Sequence, residues 1–199
     1  MTLASNPSDL ITGHKSTKGW WDGPDKYENV NRNVISAVQR EISQTLLLAL
    51  FHDKFKINVG GTGNPEIKFY GVNIDGSGEI FADTTDLPFP DNSVDFILSS
   101  HTLEHVRDVE KAILEWIRVL KPGGIFYTII PDKTVFTHAN EMDSLHPYYA
   151  SSEMSPSDFS ALIERINQNI KTGKYIKCLV FNARQNNLDF DYMGEVCLR

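Results

Sequence analysis

Six residues that could bind or react with a small molecule come at the ends of short apolar runs in the central part of the chain. They are Gly60, Asp75, Asp83, Ser99, Ser100 and Asp132. Runs of this length, bounded by glycine or polar residues, are typical of buried strands. The carboxyl ends of parallel strands meet at one edge of a sheet, and ligands bind in the crevice outside that edge. We therefore expect the six residues to surround one small molecule.

The first of these ends is a glycine-rich stretch, Gly60-Gly-Thr-Gly63. Glycines let the backbone approach a ligand closely, and free N–H groups there can hold a carboxylate or a phosphate, although a tight turn alone also explains them. Further along, Asp75 could accept both hydroxyls of a ribose. Asp83 could accept the exocyclic amine of adenine, although Asp is also a common turn residue at a strand end. Together these positions favour a nucleoside-binding site.

The elements that must position these residues are seven strands. The sequence predicts them at Lys56–Gly60, Phe69–Asp75, Glu79–Asp83, Val94–Ser100, Ile125–Pro131, Tyr175–Phe181 and Asp189–Leu198. The turn-prone residues 182–187 separate the last two strands. This arrangement predicts an antiparallel hairpin at one edge of the sheet.

Three segments have the apolar periodicity of an amphipathic helix. They are Val30–Leu50, Val109–Leu120 with Asp108 as its cap, and a segment that starts at Ser155-Pro156 and stops near Gly173. Lys121-Pro-Gly-Gly124 is expected to end the second helix. Only Gly61–Lys68 separate the first two strands, so the connection between them has room for no more than a single helical turn.

Several of these segments also carry a resemblance. The matching segments are Gly60-Gly-Thr-Gly63, Asp75, Ala82 to Ile97, Ser100-His-Thr-Leu-Glu-His105 and Arg118-Val-Leu-Lys-Pro-Gly-Gly124. In this order they resemble the class I S-adenosylmethionine-dependent methyltransferases of the type 11 group. The resemblance extends from Lys56 to about Lys133, and its most specific part lies between Asp86 and Gly124. It implies an α/β, Rossmann-like class I methyltransferase fold, with a mainly parallel seven-stranded sheet and an antiparallel C-terminal hairpin.

The resemblance also implies which positions would bind S-adenosylmethionine. It assigns the methionine part to Gly60, Gly61 and Gly63, ribose to Asp75, adenine to Asp83, Thr84 and Leu87, and the sulfonium end to Ser99, Ser100 and His101. The glycine stretch departs from the usual pattern of the family at two positions. This chain has Asn58 where the family usually has an acidic residue, and Thr62 where the family has a further glycine.

The implied reaction is direct in-line transfer of the methyl group to an O, N or C nucleophile. It needs alignment and exclusion of water more than a base, because the sulfonium already provides a good leaving group. For a hydroxyl acceptor, His101, His105 and Asp132 are candidate bases, although each could equally be structural. The acceptor is expected to be a small molecule or glycan-linked. The segment expected to bind it follows Pro131-Asp-Lys133 and contains His138, His146, Tyr148 and Tyr149.

Alternative functions remain open. His101-Thr-Leu-Glu-His105 also matches the H-x-x-E-H pattern of inverzincin metallopeptidases, in which histidines on one helix face hold zinc and the Glu activates water. The methyltransferase hypothesis predicts no metal and expects Glu104 to open a helix, where a carboxylate contributes roughly 0.3 to 1 kcal/mol. A catalytically degenerate methyltransferase fold that serves as a binding subunit is compatible with the altered glycine stretch. A dinucleotide oxidoreductase is disfavoured, because G-x-G-x-x-G is absent.

Length and composition predict one globular domain. The chain has 199 residues, of which 41% are hydrophobic, and we expect an irregular arm over 1–29 and a single domain over 30–199. The formal net charge of −7 argues against a nucleic-acid partner. No run is long enough to span a bilayer, so we expect a cytoplasmic protein. Cys178 and Cys197 are expected to be reduced core residues. The sequence makes no prediction of the oligomeric state.

Overall fold

The computed structural model of the chain describes residues 53–63, 68–74, 76, 78–135, 152–183 and 189–199. These residues form seven strands, which are β1 (Lys56–Val59), β2 (Phe69–Asn73), β3 (Ile80–Phe81), β4 (Val94–Ser100), β5 (Leu120–Pro131), β6 (Lys174–Ala183) and β7 (Asp189–Leu198). They also form two α-helices, α1 (Val109–Val119) and α2 (Pro156–Asn169), and a short 3-10 turn at Leu103–His105.

The seven strands form one sheet in the order β3-β2-β1-β4-β5-β7-β6. The pairs among β1 to β5 are parallel, whereas β7 runs antiparallel to both of its neighbours. The predicted α/β fold, with a mainly parallel sheet and a C-terminal antiparallel hairpin, is confirmed. Apolar runs such as β4 suit this arrangement, because a parallel sheet buries both faces of its central strands.

Local signals explain where α1 lies. Asp108 caps the helix by accepting a hydrogen bond from the Lys111 N–H (2.9 Å), which satisfies one of the free donors of the first turn. The strand after the helix was expected to start at Ile125, but β5 starts at Leu120. Leu120 already pairs with Val94, and a register shift follows before Phe96 pairs with Ile125. The Lys-Pro-Gly-Gly stretch is therefore an irregularity within a strand.

Helix α2 begins with a complete capping box. The Ser155 hydroxyl accepts from the Asp158 N–H, and the Asp158 carboxylate accepts from the Ser155 N–H. Pro156 occupies the first turn, where its missing N–H costs nothing. The helix therefore begins where the sequence predicts.

Both faces of the sheet are packed. The larger core lies between the sheet and the two α-helices and includes Trp116, Phe126, Phe159 and Phe190, each fully buried. Burying each such side chain stabilises the fold by roughly 1.5 to 3 kcal/mol. A smaller core on the opposite face consists of Phe69, Phe96, Leu98, Tyr127 and Ile129. The two cores fix the strand ends relative to one another.

One expectation about the core is wrong. Both cysteines are free thiols, but Cys178 is exposed and Cys197 is only half-buried. The reason is topological, because Cys178 lies on β6, which forms an edge of the sheet. None of the helices in the described ranges is long and apolar enough to cross a membrane.

Several predicted features lie outside the described residues. They are the arm over 1–29 and the helix at Val30–Leu50, the ribose candidate Asp75, most of the turn between the last two strands, and the acceptor residues His138, His146, Tyr148 and Tyr149. The proposed division of the chain at residue 30 also stays a prediction.

Candidate active site at the carboxyl edge of the sheet

The carboxyl ends of β1, β4 and β5 lie at one edge of the sheet. From β1 the chain proceeds outward through β2 to β3 and then returns to β4 on the other side of β1. The strand order therefore reverses between β1 and β4. In open α/β sheets this switch point opens a crevice outside the strand ends, and ligands bind there.

Gly60, which follows β1, is in close contact with Thr102, the second residue after β4. Gly60 has φ +81°, a conformation that side chains rarely adopt, and a Cβ atom added there would collide with the side chain of Thr102. The Thr102 hydroxyl in turn donates a hydrogen bond to the Val59 carbonyl (3.1 Å). Only glycine allows the two strand ends to approach this closely at the switch point.

The rest of this loop, Gly60–Gly63, which we call the glycine corner, is held by hydrogen bonds within the chain. The Asn58 amide donates to the Thr62 carbonyl (2.8 Å). The Gly63 N–H donates to Glu79 Oε2 (3.1 Å), and the Gly71 N–H donates to the same oxygen (2.5 Å). The sequence predicts that this backbone can bind a carboxylate, and in the structure the carboxylate that it binds is that of Glu79.

Glu79 was missed by the sequence analysis. It comes directly before β3, where no local pattern distinguishes it from an ordinary polar residue at a strand start. Its role depends on the pairing of β2 with both β1 and β3, which brings the glycine corner and Glu79 together.

The adenine candidates are mostly engaged in the fold. Asp83 is exposed, and its Oδ1 accepts a hydrogen bond from the Thr85 N–H (2.7 Å). Thr84 is buried, and its hydroxyl accepts from the Trp116 indole N–H (2.8 Å). Leu87 is buried in the larger core. Of these three side chains, only Asp83 faces solvent.

The candidates at the end of β4 differ in exposure. Ser99 is fully buried, Ser100 is half-buried, and His101 is exposed. His101 also has φ +52°, which is uncommon for a side chain with a Cβ atom. Its N–H donates to the Ile129 carbonyl (3.0 Å), which ties the end of β4 to β5. The backbone therefore turns sharply at the point where a parallel sheet presents its ligand-binding edge.

Four titratable side chains meet beyond this turn, and we call them the carboxyl-edge cluster: His101, Glu104, His105 and Asp189. Glu104 Oε1 lies 3.7 Å from His101 Nδ1 and 3.7 Å from His105 Nε2. His101 Nε2 lies 3.6 Å from Asp189 Oδ2. The side chains of Glu104 and Asp189 are only 2% and 7% exposed, whereas those of His101 and His105 are 40% and 37% exposed. The imidazoles therefore separate the two carboxyl groups from solvent.

Glu104 is the least solvated member of this cluster. Burial, with a smaller contribution from the Asp189 carboxylate, raises the pKa of Glu104 to about 8. Among the described residues, its Oε2 atom has no hydrogen-bond partner. The carboxyl group therefore holds a proton at neutral pH.

Glu104 lies in the first turn of a helix, as the sequence predicts, but this helix is a 3-10 turn of only three residues, and α1 starts at Val109. Glu104 is buried because the segment at Ser152 packs on this turn, with the Ser152 N–H donating to the Glu104 carbonyl (3.2 Å). Asp189 was also missed, although a signal existed. As the first residue of an antiparallel strand, it lies at the carboxyl edge of the parallel ones.

The geometry of a metallopeptidase is not reproduced. The H-x-x-E-H pattern requires both histidines on one face of one helix. Here His101 precedes the turn in a left-handed conformation, and His105 ends a turn of only three residues. Across the described part of the chain, no group of three or more His, Cys, Asp or Glu side chains is arranged to hold a metal ion.

Asp132, the remaining catalytic candidate, follows β5. Its Oδ1 accepts hydrogen bonds from the Thr134 N–H (2.9 Å) and the Thr134 hydroxyl (2.7 Å). Asp132 therefore stabilises the turn that leaves the sheet, while its side chain stays half-buried at the same edge as His101.

Comparison with known proteins points to methyltransferases. Residues 66–128 match the family described as "Methyltransferase domain". The segment from Phe69 on β2 to Thr128 on β5, which includes the end of β4 and the turn with Glu104, lies within this match. This part of the chain is therefore similar to the methyltransferase domain family.

The chain is also similar to curated proteins. It is 32% identical over 79 residues to a probable S-adenosylmethionine-dependent methyltransferase of Mycolicibacterium smegmatis, a match that covers 40% of this chain and 30% of that protein. It is 37% identical over 103 residues to a ubiquinone/menaquinone biosynthesis C-methyltransferase of Cronobacter sakazakii, covering 52% of this chain and 36% of that protein. The matches thus span about a third of the length of these relatives.

Solved structures support the same fold. The chain resembles a possible histamine N-methyltransferase of Thermotoga maritima, with a TM-score of 0.53 and 17% identity, over 82% of this chain and 98% of that chain. It also resembles the geranyl diphosphate C-methyltransferase of Streptomyces coelicolor in complex with S-adenosyl-L-homocysteine, with a TM-score of 0.53 and 12% identity, over 87% of this chain and 86% of that chain.

Proposed function

We propose that this domain binds S-adenosylmethionine in the crevice between the carboxyl ends of β1 and β4 and transfers its methyl group to a small-molecule acceptor. The observation that carries the proposal is the contact between Gly60 and Thr102. It brings a glycine-rich strand end against a polar strand end at the switch point of the sheet.

The residues of this edge suit the chemistry of the cofactor. The Gly63 N–H of the glycine corner already binds the Glu79 carboxylate, so we assign the methionine part to this corner for the close backbone approach that its glycines allow. We assign ribose to Asp75 and the adenine side to Asp83, Thr84 and Leu87. We assign the sulfonium end to Ser99, Ser100 and His101, next to the buried carboxyl group of Glu104.

The cofactor supplies an activated methyl group, and the chain supplies alignment, exclusion of water and a destination for a proton. His101 and His105 are the exposed imidazoles at this edge and are the proposed bases, with Asp132 as a third candidate. Each imidazole is more than a third exposed, so an acceptor outside the strand ends could reach it.

The similar proteins favour a small-molecule acceptor. The relatives and neighbours named above include methyltransferases of quinone biosynthesis and of geranyl diphosphate. A glycan-linked acceptor, suggested by Pro131-Asp-Lys133, is the alternative. The cytoplasmic location and the absence of a nucleic-acid partner stay predictions from composition.

Calorimetric titration with S-adenosylhomocysteine tests the proposal. We expect one binding site per chain, with metal analysis of the same sample showing no stoichiometric zinc. Retention of one equivalent of zinc would favour the metallopeptidase alternative instead. A folded protein that binds neither the nucleoside nor zinc would favour the degenerate binding subunit.

A further inference from the structure

The carboxyl-edge cluster contains a buried acid that the proposed function does not yet use. Glu104 is 2% exposed, and the part of the chain that the structure describes offers its Oε2 atom no hydrogen bond. Burial disfavours the ionised form of this carboxyl group, because a charge is costly in a low-dielectric interior, and this raises the pKa of Glu104 to about 8. Glu104 therefore needs a change in its surroundings before it can release a proton.

Within the described ranges, three titratable groups face Glu104 from the elements packed against it. His101 approaches from the end of β4, His105 from the 3-10 turn, and Asp189 from β7. The two imidazoles are the partly exposed members of the cluster, so a ligand outside the strand ends would meet them first. A charge that arrives at His101 is thus only one side chain away from Glu104, with little water between them to screen it.

We propose that the carboxyl-edge cluster senses the charge of the cofactor. It releases a proton when the sulfonium cation of S-adenosylmethionine binds beside His101, and it keeps that proton when the uncharged thioether of S-adenosylhomocysteine binds. The inference depends on the proposed function, since it takes the sulfonium end to lie at Ser99, Ser100 and His101.

The direction of the effect follows from electrostatics. A cation near the cluster stabilises the ionised form of Glu104 and lowers its proton affinity. Because the free protein holds that proton at pH 7, binding of the cation must release it, and affinity for the cation must rise with pH. The neutral thioether exerts no such pull, so the cluster distinguishes substrate from product by charge.

Proton release also provides a base for the reaction. As the carbon–sulfur bond breaks and leaves its electron pair on sulfur, the nucleophilic atom of the acceptor forms the new bond to the methyl carbon and gives up one proton. The ionised cluster takes that proton through His101, so charge and atoms balance. The acceptor class is thus one whose nucleophilic atom carries a hydrogen, such as a hydroxyl or an amine.

Calorimetry in two buffers of different ionisation enthalpy, such as phosphate and Tris at pH 7, counts the protons released. We expect S-adenosylmethionine to release on the order of half a proton more than S-adenosylhomocysteine. The amino and carboxyl groups common to both ligands cancel in this difference. The ratio of the two affinities should rise roughly threefold or more between pH 6.5 and pH 7.5.

Two matched substitutions assign the effect. Glu104→Gln should bring the difference in proton release close to zero while S-adenosylhomocysteine still binds. Glu110→Gln makes the same chemical change on α1, where Glu110 pairs with Arg165 (2.7 Å), and should leave the difference intact. Asp189→Asn should shrink the difference, because Asp189 helps to raise the pKa of Glu104.

The outcomes are distinguishable. Equal proton release by the two ligands in the wild-type protein would overturn the inference, and this comparison needs no variant to fold. A difference that persists in Glu104→Gln would overturn the assignment to Glu104. Failure of both ligands to bind the wild-type protein would instead reject the proposed function, and with it the inference.

Discussion

The glycine corner and the carboxyl-edge cluster lie at the same edge of the sheet, yet the chain satisfies their polar groups differently. In the glycine corner the Gly63 N–H is paired with the carboxylate of Glu79. In the cluster the Glu104 Oε2 atom has no hydrogen bond from any described residue. The first region is complete within the protein, whereas the second holds a proton and responds to an added charge. The difference suggests that the glycine corner positions the strand ends and that the carboxyl-edge cluster binds and releases a proton.

The sharpest test of this difference is the pH dependence of stability. The folded pKa of Glu104, about 8, lies above the ordinary value of 4.5 for a glutamate side chain. The stabilising contribution of the protonated group is therefore complete below pH 4.5 and is lost as the pH rises to about 8. We expect wild-type stability to fall relative to Glu104→Gln by up to roughly 1 kcal/mol for each pH unit in this window.

Urea unfolding of both proteins at several pH values between 5 and 8 measures this slope. Parallel curves for the two proteins would mean that Glu104 titrates normally and that the cluster holds no proton at pH 7. The predicted slope differs from the small, pH-independent contribution that the sequence analysis expects of a carboxylate in a helical first turn.

The second test concerns the glycine corner. Gly60→Ala should destabilise the fold by about 2 to 5 kcal/mol, since a left-handed conformation and a collision with Thr102 add together. Gly123→Ala is the matched control. Gly123 has a similar φ of +80° but no neighbour within 4 Å of the added atom, so only the backbone cost of about 1 to 2 kcal/mol applies.

Chemical denaturation of the two variants isolates the contact at the switch point. Equal losses of stability would show that Gly60 is needed only for its conformation and that Thr102 can move away.

The third test concerns ribose. Asp75→Ala should weaken binding of S-adenosylhomocysteine roughly tenfold to a hundredfold while leaving the fold intact, because a charge-assisted hydrogen bond contributes roughly 1.5 to 3 kcal/mol. Asp75→Asn, which keeps the shape and part of the hydrogen bonding, should lose less. Dissociation constants from calorimetry measure both effects. An unchanged constant in Asp75→Ala would mean that another part of the protein binds the ribose.

The smallest expected effect is at Glu79. Glu79→Gln should cost about 1 to 2 kcal/mol, because its two bonds to backbone N–H groups lose their charge but not their geometry. Glu195→Gln is the control. Glu195 lies 3.7 Å from the exposed Lys177, so its loss should cost less than about 1 kcal/mol. Equal effects in thermal unfolding would show that Glu79 contributes no more than a surface ion pair.

Much of the fold could be predicted because its signals are local. The seven strands follow from apolar runs, α1 from the periodicity that ends at Val119 and its Asp108 cap, and α2 from the capping box at Ser155. The start of β5 could not be predicted, because Lys121-Pro-Gly-Gly124 has the composition of a helix stop. Only the pairing of Leu120 with Val94 keeps that stretch within the strand.

The candidate site also contains some residues that could be predicted from the sequence and others that could not. The sequence identified Gly60 and His101 as residues of one edge, because the end of a parallel strand can be read from the strand itself. It could not identify the partners of these residues, because Thr102, Glu79 and Asp189 meet them only through pairing between strands.

The sequence by itself determined the order of the strands along the chain, the polar residues at their ends, the two helix caps and the resemblance to a methyltransferase family. These properties depend on residues within a few positions of one another, so composition and spacing are enough to specify them. Only the tertiary structure decided that Glu104 is buried and beside Asp189, which is far away in the sequence and reaches it through the antiparallel pairing of β7 with β5. Burial and electrostatic field depend on everything packed around a group, and for this reason the protonation of Glu104 could not be read from its neighbours in the chain.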